Sequence, residues 1–321
     1  MSRPAALAIA AAALWLLLVP AAGRAAGPSV GGWAYNGVFD GHVRYVAVPF
    51  GQSTVVERLF APGAQIDYYT ELHRPLGVPM VALDGTGGGL SRDGRTLVLS
   101  EQLAGFRRPR STFYVLNANS LGIRRVLHLR GDFAFDAMSP DAGTIYLIQL
   151  DPRDPTRYAV RALNAATGRL VRKPVVDPRE PDEAMRGYPQ ARATSPDGRF
   201  VYTLYSGGKE TFIHALDTTG RTAACIDIPR IPGQEPMALR LDGRRLTVLV
   251  NDLPASYVDT ATRRVSAPAP AAAPKPAAAD RQSGGGDGEP PLWVLLAGAA
   301  ALALSGAAAL GRRRRAGAVR P

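Results

Sequence analysis

The amino-acid sequence predicts an all-β fold, a β-propeller of about five four-stranded blades, with an N-terminal signal peptide and one C-terminal transmembrane helix. Three observations lead to this prediction. An Asp-Gly turn followed by a strand recurs along the chain, a second polar turn recurs within each unit, and two apolar runs bracket the repeats. A chain of 321 residues is long enough for one such domain with flanking segments.

Residues 1–25 have the composition of a signal peptide. Arg3 supplies the positive charge of the N-terminal region of a signal peptide, and residues 5–19 form an apolar run that ends at Pro20. The small residues that follow allow cleavage after Ala21, Gly23 or Ala25. The alternative is an uncleaved N-terminal anchor, but a run of about 15 residues is short for a membrane span.

Residues 28–266 contain an internal repeat that begins at a turn containing aspartate, usually Asp-Gly. Its five instances start 53, 48, 56 and 45 residues apart, at Asp40-Gly41, Asp93-Gly94, Asp141, Asp197-Gly198 and Asp242-Gly243. Glycine tolerates the positive φ that a tight hairpin needs, and aspartate caps such a turn. Because a run of alternating or β-branched apolar residues follows each turn, we expect a strand there.

A second marker lies later in each unit, where a strand, a polar turn and another strand follow one another. Equivalent polar residues precede that turn at Asn117, Asn164, Asp217 and Asp259. Short stretches at 134–138, 191–194 and 237–239 supply a further strand before the first turn. Four strands per unit and this period indicate a β-propeller.

Two alternatives to this five-bladed architecture remain open. A sixth blade would form if residues 29–39 shared a sheet with the last strand. A β-sandwich would also explain many short strands, but sandwiches do not repeat a turn sequence.

The repeats resemble the bacterial propeller repeats with Ser-Pro-Asp-Gly turns, namely the YVTN, TolB-like and lactonase-like group. Ser195-Pro196-Asp197-Gly198 and Ser139-Pro140-Asp141 are the residues that resemble it most. The resemblance covers nearly all of residues 28–266 and implies the architecture. It does not imply an activity, because the catalytic acids of the lactonases have no matching positions here.

The C-terminal part divides into a stalk, a membrane span and a tail. Residues 267–291 are rich in Pro, Ala and Gly and predict an extended or flexible stalk. Residues 292–310 form an apolar run about 28 Å long as a helix, close to the hydrocarbon thickness of a bilayer. The basic tail at 311–321 predicts a cytoplasmic C terminus. A buried Ala-rich helix is the alternative for the apolar run.

Charge and cysteine content limit the classes of partner. Of the net charge of +11, seven charges come from arginines in the leader and tail, which leaves +4 for the rest of the chain. That balance does not predict nucleic-acid binding. The single cysteine, Cys225, excludes an intramolecular disulfide and a multi-cysteine zinc site.

Two connections contain the candidate binding residues. In 103–111, the cluster Phe106, Arg107, Arg108 and Arg110 predicts contact with an anionic wall polymer or lipid headgroup, or else a solvated loop. In 174–190, the acidic residues Asp177, Glu180, Asp182 and Glu183 could hold Ca²⁺ or belong to a stiff, proline-rich loop.

No sequence motif indicates catalysis, metal binding or cofactor binding. The connections 151–157 and 205–210 are further candidate contact regions, and the glycines at 85–89 are interpreted as allowing close packing at the propeller axis. No catalytic residue, metal ligand or cofactor site is predicted from these patterns.

The sequence therefore predicts a monomeric binding or scaffold module outside the cell membrane. A stalk presents the propeller to a cell-wall polymer or an envelope protein, while a single span anchors it. The alternative is an extracytoplasmic hydrolase of the lactonase type.

Overall fold

A computed structural model describes the protein over residues 32–61, 63–101, 108–154, 157–182, 185–206, 210–231 and 235–268. These residues form five four-stranded antiparallel sheets, and strands consecutive in the chain are neighbours within each sheet. The predicted fold class, an all-β propeller of five blades, is confirmed.

The first three blades end at residue 170. The first blade contains β1 (Val38–Phe39), β2 (Val43–Phe50), β3 (Ser53–Phe60) and β4 (Gln65–Leu72). The second contains β5 (Leu76–Gly77), β6 (Thr96–Glu101), β7 (Arg110–Asn117) and β8 (Ile123–Arg130). The third contains β9 (Phe133–Met138), β10 (Thr144–Leu150), β11 (Tyr158–Asn164) and β12 (Arg169–Leu170).

The last two blades follow the same order. The fourth contains β13 (Tyr188–Thr194), β14 (Phe200–Ser206), β15 (Thr211–Asp217) and β16 (Thr222–Ile228). The fifth contains β17 (Met237–Asp242), β18 (Arg245–Val250), β19 (Leu253–Asp259) and β20 (Val265–Ser266). All five predicted aspartate turns connect the first and second strands of their blades.

A serine reinforces this turn in the second, third and fourth blades. Its Oγ donates to the aspartate Oδ1 at 2.5–2.6 Å and accepts the main-chain N–H of the residue five positions later at 2.8–2.9 Å. The serines are Ser91, Ser139 and Ser195. The aspartate also accepts the N–H two residues on, at 3.0 Å in each turn. The repeated Ser-x-Asp motif therefore stabilises the turn through hydrogen bonds made within it.

The second predicted marker is a cap on the turn between the third and fourth strands. The Oδ1 atoms of Asn117, Asn164, Asp217 and Asp259 accept main-chain N–H groups of that turn at 2.7–3.2 Å. An Asx side chain can satisfy these donors where the ladder ends. The predicted equivalence of these four positions is confirmed.

Four buried hydrophobic clusters join consecutive blades. They link the first to the second, the second to the third, the third to the fourth, and the fourth to the fifth. Among the described residues, no such cluster joins the fifth blade to the first. Seven of the eleven exposed large hydrophobic residues belong to the first blade. The hydrophobic side chains of the first blade are thus the least covered by neighbouring parts of the described structure.

A hairpin between the first and second strands of the second blade reaches β13 of the fourth blade. Leu83 N and Asp84 N donate to Pro189 O and Gln190 O of β13, at 2.8 and 3.0 Å. A Cβ added to Gly88 of this hairpin would lie 2.7 Å from Val81 Cγ1 and 2.9 Å from Phe135 Cε1. Gly87 and Gly89 are as closely packed as Gly88, whereas an added Cβ at Gly85 would meet nothing within 4 Å, so the predicted close packing applies to part of the 85–89 run.

The two apolar runs of the sequence, 5–19 and 292–310, lie outside the described residues, as does the stalk from residue 269 onward. Within the residues that the structure describes, no helix has the length and apolar character needed to cross a membrane.

Candidate ligand-binding site

A cleft of about 530 Å³ lies between the third and fourth blades. The end of β10 and the start of β11 form one side, and the segment from Pro174 to Asp182 forms another. His214 of β15 and Cys225 of β16 complete it from the fourth blade. A concave site of this volume suits a small organic ligand or one side chain of a partner.

Two buried residues with polar side chains, Tyr158 and His214, are among the residues that line the cleft. Tyr158 is 5% exposed and His214 is 2% exposed. His214 Nε2 has no hydrogen-bond partner among the described residues, whereas the Tyr158 hydroxyl interacts with the Tyr205 hydroxyl; both atoms have almost no accessible surface. Since most buried polar atoms in native proteins are paired, His214 Nε2 is an exception.

Burial keeps both groups uncharged at neutral pH. It raises the pKa of Tyr158 well above its usual value, and the adjacent Tyr205 raises it further. Burial also lowers the pKa of His214 from 6.5 to about 4. A neutral phenol has one O–H donor and an acceptor oxygen, and a neutral imidazole has one N–H donor and one acceptor nitrogen.

Aromatic stacking holds Tyr158 in place. Its ring lies 5.6 Å from that of Tyr205, and Tyr205 lies 5.3 Å from Phe212. His214 meets Tyr205 edge-on at 6.4 Å. The strands β11, β14 and β15 thus contribute rings to one stack that joins the third and fourth blades beside the cleft.

An ion pair between Asp177 and Arg179 holds the acidic wall of the cleft in place. Arg179 Nη2 lies 2.5 Å from Asp177 Oδ2 and also donates to Cys225 O at 2.9 Å. Asp177 Oδ2 accepts Cys225 N at 3.0 Å. The hydrogen bond from Arg179 lowers the pKa of Asp177 below its usual range. The wall is therefore fastened to β16.

The rim of the cleft has charges of both signs. Arg153 and Arg157 stand on one side, and Glu180 and Asp182 stand on the other; all four are exposed. Charged groups exposed at the rim of a site influence the association rate of a ligand more than its affinity.

The predicted acidic residues therefore have different surroundings. Asp177 is buried and engaged by Arg179, so it is a structural brace rather than an open Ca²⁺ ligand. Glu180 and Asp182 are exposed on the rim, and Glu183 lies outside the described residues. Among the described residues, no three His, Cys, Asp or Glu side chains gather in a metal-binding group.

The predicted basic cluster is not part of the cleft. Arg108 pairs with Asp132 at 3.2 Å and donates to Ser111 Oγ and Phe133 O, each at 3.1 Å. The Arg108 side chain is only 14% exposed. It therefore connects the second and third blades and is not part of a solvated loop. Arg110 is exposed at the start of β7, and Phe106 and Arg107 lie outside the described residues.

Sequence reasoning did not find Tyr158, His214 and Cys225 as a group. His214 and Cys225 are direct partners in the register of β15 and β16. A histidine within the otherwise apolar run of β15 was the available signal. Cys225, the single cysteine of the chain, is half-buried and lines the cleft.

Five consecutive four-stranded sheets, three of them with the same Ser-x-Asp turn, make the chain a β-propeller repeat protein. At the level of architecture it resembles the TolB-like and YVTN propellers. No protein-family model matches the chain, and no curated protein matches it in sequence.

Solved structures with a similar arrangement of strands are known from bacteria and fungi. A TolB-like protein from Agrobacterium tumefaciens has 15% identity and a TM-score of 0.38, over 74% of this chain and 78% of that one. BamB from Moraxella catarrhalis has 15% identity and a TM-score of 0.39, over 68% and 58%. The Cps50 (Swd1) β-propeller domain from Myceliophteria thermophila has 16% identity and a TM-score of 0.38, over 68% and 64%. No activity or partner is transferred from these proteins.

Proposed function

We propose that the protein is a binding module displayed outside the cell membrane, which receives its ligand in the cleft between the third and fourth blades. The preformed cleft is the observation that supports this function. Its base is stacked and its acidic wall is fixed by the Asp177–Arg179 pair, so little ordering is required when a ligand binds.

The sequence supports display on a stalk. A signal peptide, a Pro- and Gly-rich segment, an apolar run and a basic tail follow one another in the order expected of an exported, anchored domain. The proposed partner is a cell-wall polymer or an envelope protein, with the propeller acting as a monomer.

Binding is tested with the full chain in detergent, incubated with insoluble wall polymer and, separately, with isolated envelope proteins. Ala159→Trp would fill the cleft, because Ala159 lines it and is partly exposed. The matched control is Ala261→Trp, which lies in another cleft between the fourth and fifth blades. We expect Ala159→Trp to reduce binding at least tenfold and Ala261→Trp to leave it unchanged. Equal binding by both variants would show that the cleft is not the binding site.

Topology is tested by labelling intact cells with a membrane-impermeant maleimide. In a Cys225→Ala background, Ser120→Cys places a thiol on an exposed turn, and Ala316→Cys places one in the basic tail. We expect only the Ser120→Cys chain to be labelled before the cells are opened. Labelling of the tail in intact cells would contradict the proposed orientation.

A further inference from the structure

The outer hairpin of the second blade carries a concentrated positive charge. Residues 110–130 contain β7, β8 and the turn between them, and they include no aspartate or glutamate. They include four exposed arginines: Arg110, Arg124, Arg125 and Arg130. These four charges equal the +4 that remains once the arginines of the leader and tail are set aside, so the rest of that part of the chain is electrically balanced.

The equivalent hairpins of the other blades lack this charge. Residues 53–72 contain three acidic residues against one arginine, and residues 211–228 contain two against one. Residues 158–170 contain two arginines, and residues 253–266 contain two arginines and one aspartate. The four uncompensated arginines therefore belong to the second blade and are not a property of the repeat.

Arg110 and Arg130 lie directly opposite each other on β7 and β8. They are partners in the strand register, so their side chains leave the sheet on the same face. The Cβ atoms of such a pair are about 5 Å apart, and like charges at this position destabilise a sheet. The fourth blade has Thr211 opposite Ile228 at this position. Within the described part of the chain, neither arginine forms an ion pair that would offset the repulsion.

Further polar groups continue this surface along β8. His128 and Thr112 form the next pair on the same face, and His128 is exposed. Arg124 and Arg125 lie at the register shift near the start of β8, where Arg124 donates to Thr96 Oγ1 at 3.4 Å. At about 3.3 Å per residue, the row from Arg124 to the end of β8 is about 20 Å long. The cations thus follow one strand, and that strand is the edge of its sheet.

We propose that this row of cations binds a linear polyanion whose charged groups are phosphates, with the polymer lying along β8. A guanidinium donates bidentate hydrogen bonds to phosphate, so a phosphate between Arg110 and Arg130 would accept from both and offset their repulsion. Cations arranged along one strand match an extended polymer, whereas the flat surface of a bilayer would engage cations spread over a plane. The surface belongs to the second blade, so the inference goes beyond the cleft of the proposed function and does not depend on it.

Fluorescence anisotropy of labelled long-chain inorganic polyphosphate tests the inference, with the full chain in nonionic detergent as the titrant. We expect binding that weakens steeply as salt is added, because each cation that meets a polyanion releases counterions. Two competitors are compared with unlabelled polyphosphate at equal concentrations of phosphate groups. Inorganic phosphate and mixed micelles of the detergent with phosphatidylglycerol should each compete about tenfold less well, because neither presents phosphates in a line.

Two double variants that remove the same charge separate the row from general attraction. In Arg110→Gln with Arg130→Gln, we expect polyphosphate binding about tenfold weaker and a salt slope smaller by about two. The control is Arg263→Gln with Arg264→Gln, which removes two exposed arginines from a turn of the fifth blade. We expect the control to bind within about twofold of the natural chain, because salt screens charges that do not contact the polymer.

Thermal unfolding and the competitors complete the test. Since the opposed arginines repel each other, their double variant should unfold at the same or a higher temperature, and a lower midpoint would contradict the inference. Equal weakening by both double variants would overturn it, as would no binding of polyphosphate at low salt. Competition by free phosphate or by the phosphatidylglycerol micelles as strong as by the polymer would overturn it too. Ala159→Trp should leave polyphosphate binding unchanged, so the proposed function of the cleft and this inference can fail separately.

Discussion

Arg192 of β13 forms a buried ion pair with Asp136 of β9, which joins the first strands of the fourth and third blades. The guanidinium donates to both the carboxylate and the main-chain carbonyl of Asp136, and the side chains are 6% and 4% exposed. The main-chain N–H of Arg192 also donates to Asp84 Oδ2 of the second-blade hairpin at 3.3 Å. One arginine thus connects the fourth blade to the third and to the second.

Breaking this pair from one side should destabilise the domain strongly. In Asp136→Ala, a buried guanidinium loses its counter-charge, which costs about 3–5 kcal/mol. We expect the double variant Asp136→Leu with Arg192→Met to recover most of that loss, because neither charge then remains buried. Urea unfolding followed by tryptophan fluorescence measures the free energy of unfolding for each variant.

The control for this prediction is the pair Arg244–Asp259, whose side chains are 66% and 40% exposed. Arg244→Ala should cost less than about 1 kcal/mol, because water screens this pair. If Asp136→Ala were no more harmful than Arg244→Ala, the structural importance assigned to the Arg192–Asp136 pair would be wrong.

The serine of the repeated turn should contribute measurably at each of its three positions. Ser195→Ala removes the bonds to Asp197 and to Phe200 N, and we expect a loss of about 1 kcal/mol. Since the Ser195 hydrogen bond is the main cause of the lowered pKa of Asp197, that pKa should rise toward its usual value. Carboxyl NMR titration checks the pKa, and Ser266→Ala on exposed β20 is the control, with an expected change within about 0.5 kcal/mol.

The repeat turns show why the fold could be predicted from the sequence. Asp197 and Asp217 each accept main-chain N–H groups two or three residues away, so the chemistry that specifies the turn is local and visible in the sequence. The strands between such turns follow from alternation and β-branching. Five local signals of this kind were enough to predict about five units of four strands each.

The cleft shows why the candidate site could be predicted only in part. Asp177, Glu180 and Asp182 lie in one proline-rich segment, and its length and charge identified it as a contact region. Tyr158 and His214 come together at the cleft only because the third and fourth blades are neighbours, and the ring of each contacts Tyr205 of β14. No local pattern encodes that meeting, and the pairing of Asp177 with Arg179 depends on the path of the loop over β16.

The glycine that allows close packing of the second-blade hairpin should not tolerate a side chain. In Gly88→Ala, the new Cβ would lie too close to Val81 and Phe135, and we expect a loss of about 1–3 kcal/mol from overpacking. Gly122→Ala is the matched control, because its nearest neighbour would be Ser120 Oγ at 3.4 Å. Thermal unfolding compares the two, and equal midpoints would contradict the close packing described for the hairpin.

His214 should make the stability of the domain depend on pH between about 4 and 6.5. Burial lowers its pKa to about 4, so the unfolded chain binds a proton more readily than the folded chain within this interval. Stability is therefore fully present above pH 6.5 and falls as the pH approaches 4, by up to about 1.4 kcal/mol per pH unit. Five buried or hydrogen-bonded aspartates have a lowered pKa, so they lose their contribution to the free energy of unfolding only at lower pH. They are Asp141, Asp177, Asp197, Asp217 and Asp259.

The measurement that checks this dependence is a series of urea unfolding experiments at pH 4.5, 5.5, 6.5 and 7.5. His214→Gln, which cannot be protonated, should flatten the curve between the lowest and highest of these values. His128→Gln is the control, because His128 is exposed on β8, and we expect it to retain the slope of the natural chain. If His214→Gln kept the full slope, the pH dependence would have to come from another group, and the account of His214 as a buried neutral imidazole at the base of the cleft would fail.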